Sequence, residues 1–269
     1  VTVSGGPGSA SLNLTVAHAA RMYDYFLGGK DNFPADRAAA ERVLQVMPSA
    51  LLGARENRRF LHRAVRQVAG AGVAQFLDVG MGIPAAPNVH EIAQEVIPAA
   101  RVVYVDNDPL VSVYARALLT SSRQGCTAYV EADLRAPEDI LASDEVAGTL
   151  DLSLPVALSL VAVLPFLLDA DDPAGVVRRL VDALAPGSVL ILSHGTGDFA
   201  PEEARRGVEV YQHSGIRVRV RSKEEIAGLV PVGMTLKEPG VVPVHRWGGR
   251  RSRRRDAEIG VYGLVARKL

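Results

Sequence analysis

The chain has 269 residues, 48% of them apolar and 22% charged, enough to bury a large core. Thirty Lys and Arg balance thirty Asp and Glu, which excludes a global field that would draw nucleic acid or a membrane surface. A single cysteine, Cys126, excludes an internal disulfide and any multi-cysteine metal site, and fits a reducing cytoplasm.

Lysine occurs only at 30, 223, 237 and 268, and arginine supplies every other base. With the richness in Ala, Val and Gly, this suggests a GC-rich bacterial genome. The N-terminus has no basic region followed by an apolar core, so no signal peptide is expected. The longest apolar run, Pro155 to Leu168, is too short to span a bilayer and contains Pro155 and Pro165. It reads as a buried strand with a following loop.

Residues 1–12 are rich in Gly, Ser and Pro and are expected to form a disordered tail. Residues 13–72 read as a helical extension. A short helix over 15–27 stops at Gly28-Gly29. A second runs from Pro34 to Met47 and ends before Pro48. Ser49 can cap a third, which carries Leu61, Ala64, Val65 and Val68 at helical spacing and closes at Gly70 and Gly72.

Residues 73–269 read as an α/β domain. Strands are expected at 75–79, 101–105, 126–130, 154–161 and 188–193, with helices at 88–97, 109–121, 137–147 and 173–184. The alternation implies a doubly wound, mostly parallel sheet with helices on both faces. Pro186-Gly187 turns into the fifth strand. Helices near 201–213 and 222–229 then precede strands near 233–238 and 258–266. These form a terminal antiparallel hairpin around a loop holding Gly248, Gly249 and an arginine run.

Chemistry is written at the strand ends. Phe76-Leu77-Asp78-Val79-Gly80-Met81-Gly82 closes the first strand with an acid and two glycines. Val102 to Val105 leads into Asp106, and the third strand ends in Glu131-Ala132-Asp133-Leu134. The glycines let backbone approach a ligand where a Cβ would collide. Asp106 can accept from both ribose hydroxyls, and Asp133 from an adenine amine. Each has a plainer reading: a structural turn, a helix cap and a solvated loop acid. Asp108 can serve as the cap instead, ahead of Pro109, which leaves Asp106 free. Gly80-x-Gly82-x-x-Ala85 also satisfies a loose dinucleotide fingerprint. Pro84 and Pro87 interrupt it, and the next helix is expected to start at Asn88 with Glu91 in a capping box. The wider loop suits a ligand without phosphates, such as S-adenosylmethionine.

The segment Arg21 to Asn32 packs aromatics, a double glycine and several ionisable groups. It reads either as a lid, with backbone N–H groups or Lys30 meeting a carboxylate, or as an amphipathic helix with a glycine stop. His194, at the end of the fifth strand, is placed to act as a base or to be a hydrogen-bonded structural histidine. The histidines at 18, 62, 90, 194, 213 and 245 show no metal-ligand spacing, so no metal is expected. The run Arg250-Arg251-Ser252-Arg253-Arg254-Arg255 reads as a solvated hairpin tip, since no aromatics interleave to stack bases.

Taken together, Arg21-x-Tyr-Asp-Tyr-x-x-Gly-Gly-Lys-Asp-Asn32, Phe76-Leu-Asp-Val-Gly-x-Gly-x-Pro84, Asn88-x-His-Glu91, Tyr104-Val-Asp-Asn-Asp-Pro109 and Ala132-Asp-Leu-Arg135 resemble a bacterial family of S-adenosylmethionine-dependent methyltransferases, long carried as a domain of unknown function. The resemblance runs from about residue 13 to the C-terminus. It implies a class I methyltransferase (Rossmann-like) fold, with a seven-stranded sheet, one antiparallel strand and helices before the first strand. It implies cofactor contacts from Gly80, Gly82, Asp106 and Asp133. The full set expected at S-adenosylmethionine adds Tyr23, Gly29 and Lys30 from the lid, and Asp78, Asn88, Asn107, Leu134, Leu160 and Val161 around the strand ends. Met81 stands where the family has a small hydroxyl residue, and Pro165 where a histidine is expected. The resemblance implies methyl transfer without a settled substrate; the expectation here is in-line transfer to an unidentified small-molecule acceptor, with no membrane or nucleic-acid partner. Two rivals remain at this level: an NAD-dependent oxidoreductase, and a non-catalytic protein that binds the methyl donor.

Overall fold

Alternation of side chains along the strands sets the architecture. Phe76, Val102 and Tyr104 enter one apolar layer, while Leu77, Val79, Val103 and Val105 enter the other. A sheet apolar on both faces must be covered on both, and helices do so. The computed structural model describes residues 13–248 and 253–269. The expected tail at 1–12, and Gly249, Arg250, Arg251 and Ser252 of the loop, lie outside the described residues.

In chain order the elements are α1 (Ala19–Leu27), α2 (Pro34–Val46), α3 (Ser49–Gly70), β1 (Gln75–Val79), α4 (Val89–Val96), β2 (Arg101–Asp106), α5 (Pro109–Leu118), β3 (Cys126–Glu131), α6 (Pro137–Leu141), α7 (Asp144–Thr149) and β4 (Ala157–Val161). After these come α8 (Pro173–Asp182), β5 (Val189–Gly195), α9 (Pro201–His213), α10 (Lys223–Ala227), β6 (Met234–Leu236), β7 (Val242–Pro243) and β8 (Val261–Lys268). The sheet order is β3-β2-β1-β4-β5-β8-β6, with the short β7 attached to β8. Strands β1 to β5 are parallel, and β8 runs antiparallel to β5, β6 and β7.

Along that path this is the mostly parallel, seven-stranded arrangement with a terminal antiparallel hairpin. β8 inserts between β5 and β6, so the hairpin is spliced into the sheet and not appended to its edge. One layer packs α6, α7, α8 and α10 through Ile140, Val146, Leu180 and Ile226. The other packs α3, α4 and α5 through Phe60, Val65, Ile92 and Val111. A smaller cluster of Met22, Phe26, Ala40, Val43 and Ala54 joins α1 and α2 to the start of α3. No described helix is long and apolar enough to cross a membrane.

Several boundaries differ from the sequence reading for local reasons. The first helix starts at Ala19, because His18 is extended and accepts the Ala20 N–H through Nδ1 at 3.4 Å. Ser49 is the first helical residue of α3 and caps nothing; Pro48 holds the cap position. The expected helix over 137–147 breaks in two, because extended Ser143 accepts the Val146 N–H and starts α7. β4 begins at Ala157, beyond Pro155, which has no N–H for a ladder.

Candidate active site

The chain order reverses beside β1, which lies between β2 and β4. In open α/β sheets the crevice at such a point, outside the carboxyl ends of the strands, receives the ligand. Here a cavity of about 610 Å³ opens at that rim. It brings together Tyr23, Asp78, Gly80, Gly82, Asp106, Asn107, Asp133, Leu134 and Val161 of the expected set.

Glycine is required at Gly80 twice over. Its φ is +77°, and a Cβ there would lie 2.4 Å from Val163 Cγ2. Gly82 takes φ +65°, yet a Cβ would meet nothing nearer than Ala20 Cβ at 3.9 Å, so conformation alone selects it. The turn aims the Gly82 N–H at Asp106 Oδ2, at 2.8 Å. Asp106 Oδ1 accepts the Asp108 N–H at 3.0 Å. Asp106 is therefore not the helix cap: Asp108 is, accepting the Leu110 N–H at 2.9 Å. Each Asp106 oxygen keeps a lone pair for a ligand. Burial pushes the Asp106 carboxyl above its ordinary value, and the Asp108 and Gly82 amides pull it back.

Asp78 is buried at the end of β1 and pushed up to about 6, by burial first and against the pull of Ser159 and Arg58. Asp133 is held below the usual carboxylate range, chiefly by Arg135, whose Nε donates to Oδ1 at 2.9 Å. Beyond β4 the chain turns through Ala162 at φ +58°, a conformation unusual for a side-chain-bearing residue. The Ala162 N–H is held by Ser193 Oγ at 3.0 Å.

The remaining expected residues lie off the cavity lining, each for a visible reason. Gly29 and Lys30 sit on the exposed turn after α1. The Asp24 carboxylate fills the space a Gly29 Cβ would need, and it accepts from the Asp31 N–H at 3.0 Å and Asn32 Nδ2 at 2.8 Å. The polar half of the dense motif thus closes on itself. Asn88 holds the cap position before α4, where Glu91 accepts its N–H and its own Oδ1 accepts from the Ala85 N–H at 3.1 Å. Leu160 points into the core under the sheet. His194 is fully buried, and both ring nitrogens are engaged: Arg221 Nη1 lies 2.9 Å from Nε2, so Nδ1 carries the proton and donates to Gly195 O at 2.8 Å. Burial lowers it to about 4. It is a neutral structural residue away from the cavity and not placed to take a proton from a bound molecule.

Other parts of the lining were not anticipated. Ala50, Gly53, Ala54, Asn57, Arg58 and Leu61 face the cavity from α3. Their spacing is helical, which marks one face, but periodicity does not say what that face meets. Arg58 donates to the Ala85 and Pro87 carbonyls and so props the glycine loop. Tyr211 of α9, Ile216 to Val218, Ala257 and Ile259 to Val261 complete the walls from distant sequence. Val16 to Ala20 close over the loop side, with His18 Nδ1 3.0 Å from Asp108 Oδ2.

The sheet order and the rim cavity define a class I methyltransferase fold. The plantazolicin methyltransferase, solved with S-adenosylhomocysteine, shares this fold at TM-score 0.52 and 11% identity, covering 93% of this chain and 95% of that one. The sequence model of the S-adenosyl methyltransferase family matches residues 6–269, and the chain belongs to that family. Its cofactor is S-adenosylmethionine. A protein of the DUF574 family from Streptomyces avermitilis is 46% identical, with TM-score 0.92 over 94% of this chain and 98% of that one. A candidate methyltransferase from Thermobifida fusca is 38% identical, with TM-score 0.88 over 96% of this chain and 97% of that one. No curated protein is significantly similar in sequence.

Proposed function

We propose that the protein is an enzyme that transfers a methyl group from S-adenosylmethionine to a small molecule. The observation that supports this most is the Gly82–Asp106 hydrogen bond at the edge of a cavity of about 610 Å³. The residues fit an adenosyl group. Gly80 offers bare backbone where Val163 leaves no room for a Cβ, and Asp106 keeps lone pairs for ribose hydroxyls. Asn107 and Leu134 would flank the base, with Asp133 positioned for its exocyclic amine. Tyr23 and Val16 to Ala20 would cover the far side.

When bound, the cofactor supplies a methyl group on a sulfonium, whose departure as a neutral thioether needs no acid. The chain's own work is then positioning, which can supply about 7–11 kcal/mol of a barrier. α3, α9 and the Ile259–Val261 segment confine the acceptor, and their apolar side chains exclude water from the space next to the glycine loop. The histidine in the described lining, His18, lies on the loop side against Asp108, so an acceptor whose lone pair is available at neutral pH suits the cavity best. The dinucleotide alternative loses support from α4, which begins only at Val89, after Pro84 and Pro87, and presents no N-terminus to a pyrophosphate at Gly82.

Turnover tests the reading. Protein incubated with methyl-labelled S-adenosylmethionine and a panel of small acceptors is expected to release S-adenosylhomocysteine with stoichiometric label transfer. Tight cofactor binding with no transfer to any acceptor would favour a non-catalytic binding protein.

A further inference from the structure

The cavity continues past Gly80 and Gly82 into an arm between α3, α9 and the segment after α9. Met47, Ala50, Phe199, Ala204, Ile216 and Val218 give it apolar walls. Of its charged side chains, Glu203 and Arg217 are exposed at the mouth, and half-buried Arg58 of α3 spends its Nη2 on the Ala85 and Pro87 carbonyls. A charged molecule inside the arm would shed its water and meet no fully buried counter-charge among the described residues of the α3 and α9 walls.

Two polar groups interrupt those walls. The Tyr23 hydroxyl donates its one proton to Ala54 O at 3.1 Å. It must therefore accept from Asn57, whose Nδ2 lies 3.0 Å away. That network fixes the amide and turns Asn57 Oδ1 away from Tyr23. Asn57 is 1% exposed, and its Oδ1 has no hydrogen-bond partner among the described residues. A buried carbonyl oxygen left this way is a costly feature unless a ligand donates to it. Tyr211, on the α9 side, offers a hydroxyl that no described residue engages. Burial, and then Tyr23 nearby, hold its phenol well above the ordinary value, so it stays a neutral hydrogen-bond donor.

We propose that this arm binds an uncharged, mainly apolar small molecule that donates an O–H or N–H to Asn57 Oδ1 and accepts from the Tyr211 hydroxyl. The assignment rests on S-adenosylmethionine occupying the half of the cavity at Asp106. Asn57 and Tyr211 then select the methyl acceptor, while the strand-end residues hold the donor.

The test uses the full chain saturated with S-adenosylhomocysteine at neutral pH. Calorimetric titrations with phenol and benzamide, both uncharged, are compared with benzoate and benzylamine, charged rings of similar size. The neutral probes are expected to bind, and the charged ones to bind at least about tenfold more weakly. Tyr211→Phe and Asn57→Leu should each weaken the neutral probes about fivefold or more while moving S-adenosylhomocysteine affinity less than about threefold. Charged probes binding as well as neutral ones, neutral probes failing to bind, or neutral-probe affinity unmoved by the variants would overturn the proposal. Failure of the wild-type protein to bind S-adenosylhomocysteine would instead remove the methyl-donor reading beneath it. Tyr211→Phe removes only a hydroxyl, so it carries the test if Asn57→Leu does not fold.

Discussion

The amide of Gly82 donates to Oδ2 of Asp106 at 2.8 Å, joining the turn after β1 to the end of β2. Two motifs separated by more than twenty residues in sequence are thus one structural unit. The glycine conformation aims the N–H, and the acid both fixes the turn and faces the cavity.

Asp106→Ala removes the ribose acceptor and releases the turn. Affinity for S-adenosylhomocysteine should fall about 10- to 150-fold, the equivalent of about 1.5–3 kcal/mol for a hydrogen bond to a charged group. Isothermal calorimetry measures this directly, and an unchanged Kd would remove the ribose assignment.

Gly80 and Gly82 should respond differently to alanine. Both substitutions force a side chain into positive φ, costing about 1–2 kcal/mol. Gly80→Ala also drives its Cβ into Val163, adding about 1–3 kcal/mol of overpacking. Urea midpoints should rank Gly80→Ala below Gly82→Ala, and Val163→Ala should recover part of the Gly80→Ala loss. Equal losses at the two sites would contradict the packing account.

On the turn after α1, Gly29→Ala should lower the melting temperature, because Asp24 occupies the space of the new methyl group. Lys30→Ala should change neither stability nor cofactor affinity by more than about 0.5 kcal/mol, since the residue is exposed and outside the cavity lining. A large loss of cofactor affinity in Lys30→Ala would show that this turn reaches the ligand in solution.

Acid should expose the buried His194. Its folded value is about 4 against an ordinary 6.5, so the unfolded chain binds the proton first as pH falls. Its stabilising contribution is complete above about pH 6.5 and is lost as pH falls through about 4, a swing of about 3 kcal/mol. His62, also lowered to about 4, acts in the same direction. Asp78 acts oppositely: raised to about 6 from 3.8, it destabilises fully above pH 6, and that cost lifts as pH falls towards 3.8. Comparing denaturation of the wild type and His194→Gln between pH 7 and 4 isolates the histidine. The variant should show the shallower decline, and parallel curves would refute the assignment.

The strands and most helices were legible in the sequence because their signals are local. Short apolar runs ending in acids or glycines set β1, β2 and β3, and Pro109, Pro173 and Pro201 mark helix starts. β7, two residues long and held only by β8, carries no such signal. The cavity rim was legible for the same reason: Asp78, Gly80, Asp106 and Asp133 each close a strand or begin the loop after it, and parallel strands bring their carboxyl ends to one edge.

By itself, then, the order of residues determined the sheet, its ligand-bearing edge and the cofactor class, since backbone geometry turns short-range patterns into strand ends. Only tertiary packing decided which polar side chains face the cavity. It spent Asp24 and Asn88 on their own turns, buried His194 between Gly195 and Arg221, and brought Asn57 and Tyr211 each to Tyr23 from separate helices. Such contacts depend on how helices cross a sheet in space, and spacing along the chain does not encode that crossing.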